Sequence, residues 1–248
     1  MSSTASFPIK SALILGSTSE IAKAICLELA NRGCEQFHFI SRNSSKNKSF
    51  IKNLKSLYSV KISEEDCDLL ESASLDKEVL PSVQDFDLYL IAAGSLGNPA
   101  LARSSSLEAL KITTANYLGL IPWITAICTK TRLKSNLRLW VFTSVASDRG
   151  RPSNYHYGAA KSGLEKFCEG ILLRSYNMPF KTRIIKAGFM ATPMTIGKAP
   201  SFLCVSPKKV AKDLLRNPNK QGIEYLPWWW FLIMLIVRLL PNKFASRI

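Results

Sequence analysis

Ser11-Ala12-Leu13-Ile14-Leu15-Gly16-Ser17-Thr18-Ser19-Glu20-Ile21 runs from a short apolar segment through a turn of small residues into Ala22–Arg32, which carries helical periodicity. Strand, tight turn and helix in that order begin a βα unit. The rest of the chain repeats the alternation, with strands expected at 11–16, 36–41, 59–62, 87–93, 137–143, 181–186 and 222–226 and helices filling most intervals. Runs rich in Val, Ile, Leu and Phe belong to strands buried on both faces, so the pattern predicts an α/β fold, doubly wound around a parallel seven-stranded sheet, with an apolar C-terminal helix. A chain of 248 residues suits one such domain. No linker is visible, and no period of 20 to 50 residues suggests a repeat.

The turn at Gly16 carries chemistry as well as topology. Backbone N–H groups at a helix N-terminus are where pyrophosphate oxygens bind in dinucleotide folds, which makes Gly16, Ser17, Thr18, Ser19, Glu20 and Ile21 candidate cofactor contacts. Of a three-glycine fingerprint only Gly16 remains, with Glu20 and Ala22 where glycines are expected. The same turn also reads as an ordinary loop capped by Ser17, Thr18 or Ser19.

Tyr155-His156-Tyr157-Gly158-Ala159-Ala160-Lys161 supplies the second signal. Tyr157 and Lys161, four residues apart in a helical segment, stack on one face. A free phenol titrates near 10, and a cation a few ångströms away favours phenolate; Lys161 is the cation this spacing offers. Ser144 ends the apolar run Trp140-Val141-Phe142-Thr143-Ser144, and Asn116 lies in a helical stretch further back. A Ser hydroxyl beside the Tyr hydroxyl can orient a carbonyl and share the developing charge on its oxygen. Ser144, Tyr157, Lys161 and Asn116 together make a carbonyl/alcohol acid-base site.

Gly16, Asp68, Ala92-Ala93-Gly94, Asn116, Ser144, Tyr157, Lys161, Gly188 and Thr192, in this order and spacing over roughly residues 10–226, resemble the short-chain dehydrogenase/reductase family. The resemblance implies a Rossmann fold over 1–226, NAD(P)-dependent hydride transfer, Tyr157 as general acid, Ser144 as carbonyl orienter, Lys161 on the nicotinamide ribose, and Asn116 holding a water. It further implies that Asp68 and Leu69 lie at the adenine, Ala92, Ala93 and Gly94 along the cofactor, and Gly188 and Thr192 at the nicotinamide or phosphates. Two motif positions differ: Ile91 or Ala92 stands for the usual Asn, and Ala187 for the Pro before Gly188. Leu15–Ile21, Ala93-Gly94-Ser95-Leu96-Gly97 and the tail ending Arg238-Leu239-Leu240-Pro241-Asn242-Lys243-Phe244 are also similar to reductases of decaprenylphosphoryl 2-keto-erythro-pentose. That narrower likeness implies a lipid-linked keto-sugar substrate and a separate partner oxidase. A soluble ketone or acyl thioester, or a non-catalytic NADP-binding role, are the competing readings.

Charge selects the cofactor. After the second strand comes Ser41-Arg42-Asn43, with Lys46 and Lys48 close behind and no acid from Gln36 to Ser63. An arginine there meets a 2′-phosphate where an acid would bind a free ribose hydroxyl, so NADP(H) is favoured over NAD(H). Asp68 and Asp66 could instead cap the following helix.

The formal net charge of +15 points to anionic surfaces. Scattered basic residues without a recognised module argue against nucleic acid. Membrane phospholipid fits better, because basic residues gather near Pro227-Trp228-Trp229-Trp230-Phe231-Leu232-Ile233-Met234-Leu235-Ile236-Val237. The ten apolar residues before Arg238 fall short of the ~20 that span a bilayer. Residues 227–248 are therefore expected to pack on the same domain or to lie as an interfacial helix. Six cysteines without Cys-x-x-Cys pairing read as buried thiols, no metal site is implied, and His38 is expected in the core. No apolar leader segment precedes the first strand, so a cytoplasmic homo-oligomer is expected, on the inner face of a membrane if the tail binds lipid. The family resemblance further implies a substrate lid at Phe189–Leu203, after the sixth strand, with its methionines and Phe202 toward an apolar ligand portion and Lys198 toward a phosphate.

Overall fold

The computed structural model describes residues 7–72, 85–130, 137–193, 195 and 200–247. Seven parallel strands, β1 (Ser11–Leu15), β2 (Gln36–Ser41), β3 (Lys61–Asp66), β4 (Leu88–Ile91), β5 (Arg138–Ser144), β6 (Lys181–Ala187) and β7 (Gly222–Leu226), form one sheet in the order β3-β2-β1-β4-β5-β6-β7. The order reverses between β1 and β4, which opens a crevice at the carboxyl ends of the central strands.

Strand periodicity divides the core in two. Ala12 and Ile14 of β1, Leu88 and Leu90 of β4, and Trp140 and Phe142 of β5 face the layer holding α1 (Glu20–Asn31), α2 (Lys48–Leu57) and, later in the chain, Pro207–Arg216. Leu13, Leu15, Tyr89, Ile91, Leu139 and Val141 point to the opposite layer, with Trp123, Ile124 and Leu164. In chain order after α2 come α3 (Leu69–Ser72), α4 (Pro99–Ala102), α5 (Ser106–Asn116), α6 (Ile121–Lys130), α7 (Tyr155–Arg174), α8 (Pro207–Arg216), α9 (Trp230–Leu239) and α10 (Asn242–Ala245).

Four expectations shift. The third strand runs Lys61–Asp66 rather than 59–62: an edge strand paired only to β2 has a solvated face, so Lys-Ile-Ser-Glu-Glu-Asp carries no apolar signal. The first strand stops at Leu15, because Gly16 turns with φ +91°. His38 is not a packed core side chain; its ring nitrogens lie 2.8 Å from Ser63 Oγ and 3.2 Å from Glu65 Oε2. Cys26, Cys34, Cys128 and Cys168 are buried, and burial raises the Cys34 and Cys168 thiols to about 12, but Cys67 and Cys204 are partly exposed.

The tail packs on the carboxyl end of the sheet. Trp230 and Met234, one helical turn apart on α9, are 4% and 2% exposed and cluster with Val145, just after Ser144. Arg149 closes the far end of the helix, with Nη1 donating to the carbonyls of Val237, Arg238 and Leu240 at 2.8, 2.9 and 2.5 Å. A guanidinium on the orphan carbonyls of a helix C-terminus also meets the negative end of its dipole. The opposite face of α9 stays uncovered: Phe231, Leu232, Leu235, Ile236 and Leu239 are exposed, Leu239 at 76%. Among the described residues no helix is long and apolar enough to cross a membrane.

Candidate active site

At the crevice floor, Gly16 is required by closeness as well as by backbone angle. A Cβ there would sit 2.5 Å from the Ala93 backbone nitrogen, where β1 and β4 end side by side. Ser19 caps α1, accepting from Ala22 N at 3.2 Å, which settles which serine of the turn is the cap. Ser17 turns inward instead: its hydroxyl donates to the Ile40 carbonyl and accepts from the buried Asn47 side chain at 2.8 Å. Glu20, whose charge would oppose a phosphate, is drawn to Lys23 at 3.0 Å. Thr18, Ser19, Glu20 and Ile21 line a cleft of about 780 Å³, together with Ala92, Ala93, Gly94, Ser144, Tyr157, Lys161, Gly188 and Thr192.

A second cleft of about 430 Å³ adjoins it and shares Thr18, Ser19, Ala92, Ala93 and Gly94. Its walls include Gly16, Arg42, Asp68 and Leu69, so the two halves of the expected cofactor site meet along the strand ends. Asp68 accepts from Leu70 N at 3.0 Å as the cap of α3, whereas Asp66 holds the loop after β2 through Ser44 N at 2.6 Å. Arg42 is exposed at the rim of this cleft. Two adjoining clefts with a helix N-terminus between them and an exposed arginine at the rim fit a nicotinamide dinucleotide.

The acid-base residues converge in the larger cleft. Ser144 terminates β5, and its hydroxyl accepts from Ala146 N at 3.1 Å in the cleft that Tyr157 also lines, where it favours ionisation of the phenol. Tyr157 sits in the first turn of α7, pressed close by Gly158, where a Cβ would come 2.8 Å from the Ala146 carbonyl. Lys161, one turn on, is 4% exposed; its Nζ donates to Phe142 O at 3.2 Å and lies 6.0 Å from the Tyr157 ring centre. Asn116 is buried at the end of α5, where Nδ2 donates to Ser95 O at 2.6 Å and Oδ1 accepts from Ser95 N at 3.2 Å. Asn116 and Lys161 flank Gly94, whose Cβ would meet Asn116 Oδ1 at 2.6 Å and Lys161 Nζ at 3.0 Å.

Burial decides the electrostatics. It raises the Tyr157 phenol above its usual range, against the Ser144 hydrogen bond and the charge of Arg151, both of which pull it down. Arg151, a residue the sequence signals did not single out, thus adds its charge to the surroundings of the phenol, with Lys161 Nζ 6.0 Å from the ring centre. Burial also lowers the Lys161 ammonium from 10.5 to about 8, with only Cys168 opposing. Behind the site, burial pulls Lys186 down but Asp148 and Glu165 hold it above its usual value, so the ion pairs win. That buried triad, with Tyr225 donating to Asp148 at 2.9 Å and Ser147 bonded to both Ser144 O and Glu165, fixes the segment that carries Ser144.

At Gly188 a Cβ would fall 1.8 Å from Trp230 Nε1, so α9 packs directly against the backbone at this edge of the cleft. Phe189 stacks edge-on against the same indole at 5.4 Å. Thr192 lines the cleft, held by Thr195. Phe202 points away at 80% exposure, not toward a ligand as expected of a lid; Met194 and Lys198 lie outside the described residues. No group of His, Cys, Asp or Glu among the described residues could hold a metal.

A family model described as short chain dehydrogenase matches residues 10–201. The chain is 32% identical over 154 residues to an uncharacterized oxidoreductase of Mycobacterium tuberculosis (strain ATCC 25618 / H37Rv), covering 62% of each chain and so less than two thirds of that relative. It is 27% identical over 252 residues to an uncharacterized oxidoreductase of Streptomyces coelicolor, covering 100% of this chain and 99% of the relative. A short-chain dehydrogenase from Sphingobium yanoikuyae in complex with NADPH matches with a TM-score of 0.77 at 14% identity over 88% of both chains. A 3-oxoacyl (acyl-carrier protein) reductase from Brucella melitensis ATCC 23457 matches with a TM-score of 0.74 at 19% identity, covering 88% of this chain and 89% of that one. At these identities the structural likeness is one of fold. The chain belongs to the short-chain dehydrogenase family.

Proposed function

We propose that the protein reduces a ketone to a secondary alcohol with NADPH, and that Tyr157 protonates the carbonyl oxygen. The observation that carries this reading is the convergence of the Ser144 and Tyr157 hydroxyls in one cleft, above the buried Lys161. The bound coenzyme supplies the hydride. A carbonyl oxygen placed between the two hydroxyls accepts from both, so Ser144 orients it while Tyr157 transfers its proton as negative charge develops. The raised phenol stays protonated and ready to donate at neutral pH. Lys161, near 8, exchanges protons in the working range and replenishes the phenol, and in this reading Asn116 holds a water that links Lys161 to solvent. Arg42 reads the 2′-phosphate of the coenzyme.

The substrate of this reading is a keto-sugar carried on a polyprenyl phosphate, which a separate oxidase would supply. Leu96, Pro99, Val145, Phe189, Met190 and Pro193 give the substrate end an apolar wall, and the uncovered face of α9 beside it suits the surface of an anionic membrane. The deciding experiment follows NADPH oxidation in detergent with a polyprenylphosphoryl 2-keto-pentose and a panel of water-soluble ketones, using wild type and Tyr157→Phe. Turnover of the lipid-linked sugar, lost about 10²- to 10⁴-fold in the variant with coenzyme affinity kept, is expected. Undiminished turnover in Tyr157→Phe overturns the acid assignment; turnover of soluble ketones alone overturns the lipid-linked substrate.

A further inference from the structure

The larger cleft contains a cation that the reduction chemistry leaves over. Among the described residues three charged side chains line it: Glu20, Lys161 and Arg151. Glu20 is paired with Lys23, and Lys161 donates to backbone carbonyls. Arg151 differs, since its Nε is buried without a hydrogen-bond partner and, among the described residues, its guanidinium forms no ion pair. The nearest acid whose charge it feels, Asp148, is already engaged through Oδ1 by Lys186 and through Oδ2 by Tyr225. A buried donor left unmade is costly, and a guanidinium offers a planar fork suited to an oxyanion.

The loop bearing it is held from both sides. Arg149 grips the end of α9, and Arg103 Nη2 donates to the Pro152 carbonyl at 3.0 Å, while Asn154 N donates back to Arg151 O at 3.1 Å. The guanidinium is therefore presented from a fixed backbone to the cleft that Tyr157 also lines. Around it the lining is apolar, with Leu96, Val145, Phe189 and Met190. Among the described residues this is one unneutralised cation in an apolar cleft that also holds the proton donor, which selects a ligand with one oxyanion close to its reacting carbonyl and an apolar stem beyond.

We propose that Arg151 is the recognition group for an oxyanion, phosphate or carboxylate, that the ketone substrate carries within a few bonds of its carbonyl. This rests on the reductase reading above and adds the residue that selects the substrate's charge. The test is calorimetric titration of the protein saturated with NADPH, which keeps the coenzyme's own phosphate sites filled. Octyl phosphate, octanol and inorganic phosphate are titrated into wild type, Arg151→Gln and Arg151→Lys, each first shown to melt cooperatively.

Wild type is expected to bind octyl phosphate at least tenfold more tightly than either octanol or inorganic phosphate. Arg151→Gln should erase its preference over octanol by about tenfold to a hundredfold, the effect of losing a charge-assisted bond, and Arg151→Lys should keep part of it. A preference that survives in Arg151→Gln, or none in wild type, overturns the proposal; inorganic phosphate binding as tightly as octyl phosphate overturns the apolar stem. Tyr157→Phe should keep the octyl phosphate preference. Failure of the reductase reading, seen as turnover by Tyr157→Phe, is thereby separable from failure of the anion site.

Discussion

The indole of Trp230 occupies the space that any side chain at Gly188 would need, 1.8 Å from the position of its Cβ. The contact joins the end of β6 to α9, so the helix and the strand end that borders the larger cleft are one packed unit. Gly188→Ala is expected to destabilise the fold by about 1–3 kcal/mol, the range for an overpacked core. Trp230→Leu in the same chain should recover part of the loss. Urea denaturation of the two single variants and the double variant checks this, and a neutral Gly188→Ala would show that α9 does not seat on the strand end.

Lys161 makes stability depend on pH with a defined sign. Its pKa is about 8 in the fold against 10.5 for an ordinary lysine, so below pH 8 it is charged in both states and the full burial penalty falls on the native one. Between 8 and 10.5 the native state has released the proton and the unfolded state has not, so stability rises with pH. Lys161→Met should therefore stabilise the coenzyme-free protein at pH 7, by roughly 3 kcal/mol at most. The gain should shrink toward pH 10. Equal gains at pH 7 and pH 10 in denaturant titrations would refute the assignment.

Arg42 is expected to govern the choice of coenzyme. Arg42→Ala should weaken NADPH about tenfold or more and leave NADH nearly unchanged, because only the 2′-phosphate loses a charge-assisted partner. Fluorescence titration with both coenzymes measures the ratio. If both affinities fall together, Arg42 supports the loop and does not read the phosphate.

The outward face of α9 predicts lipid-dependent behaviour. The protein should sediment with vesicles containing phosphatidylserine and far less with purely phosphatidylcholine vesicles, the difference fading as salt rises. Replacing Leu235 and Leu239 by Gln, both on the exposed face, should release it while NADPH binding persists. If the same variant instead turns a dimer into a monomer in solution, that face belongs to a second copy.

Much of this was legible before the coordinates because parallel strands are apolar throughout and the acid-base residues have fixed chemical types. Strands β1, β2, β5, β6 and β7 fall close to their expected places for that reason. Edge strand β3 was misplaced because one solvated face removes the apolar signal. The tail shows ten apolar residues in a row, but only packing reveals that Trp230 and Met234 face inward while Leu235 and Ile236 do not. Arg151 stayed hidden for another reason. Between Ser144 and Tyr157 it looks like one more basic loop residue, and its meaning comes from the partners that Asp148 has already taken.

The 2.5 Å between the Gly16 Cβ position and the Ala93 nitrogen restates what a glycine fingerprint encodes. In this chain the requirement is a distance between two strand ends, and a single residue satisfies it. The other two positions of the pattern were free to become Glu20, neutralised by its neighbour, and Ala22, absorbed into the core. The cradle here is thus written in main-chain separation, which leaves the side chains around it open to change without loss of its shape.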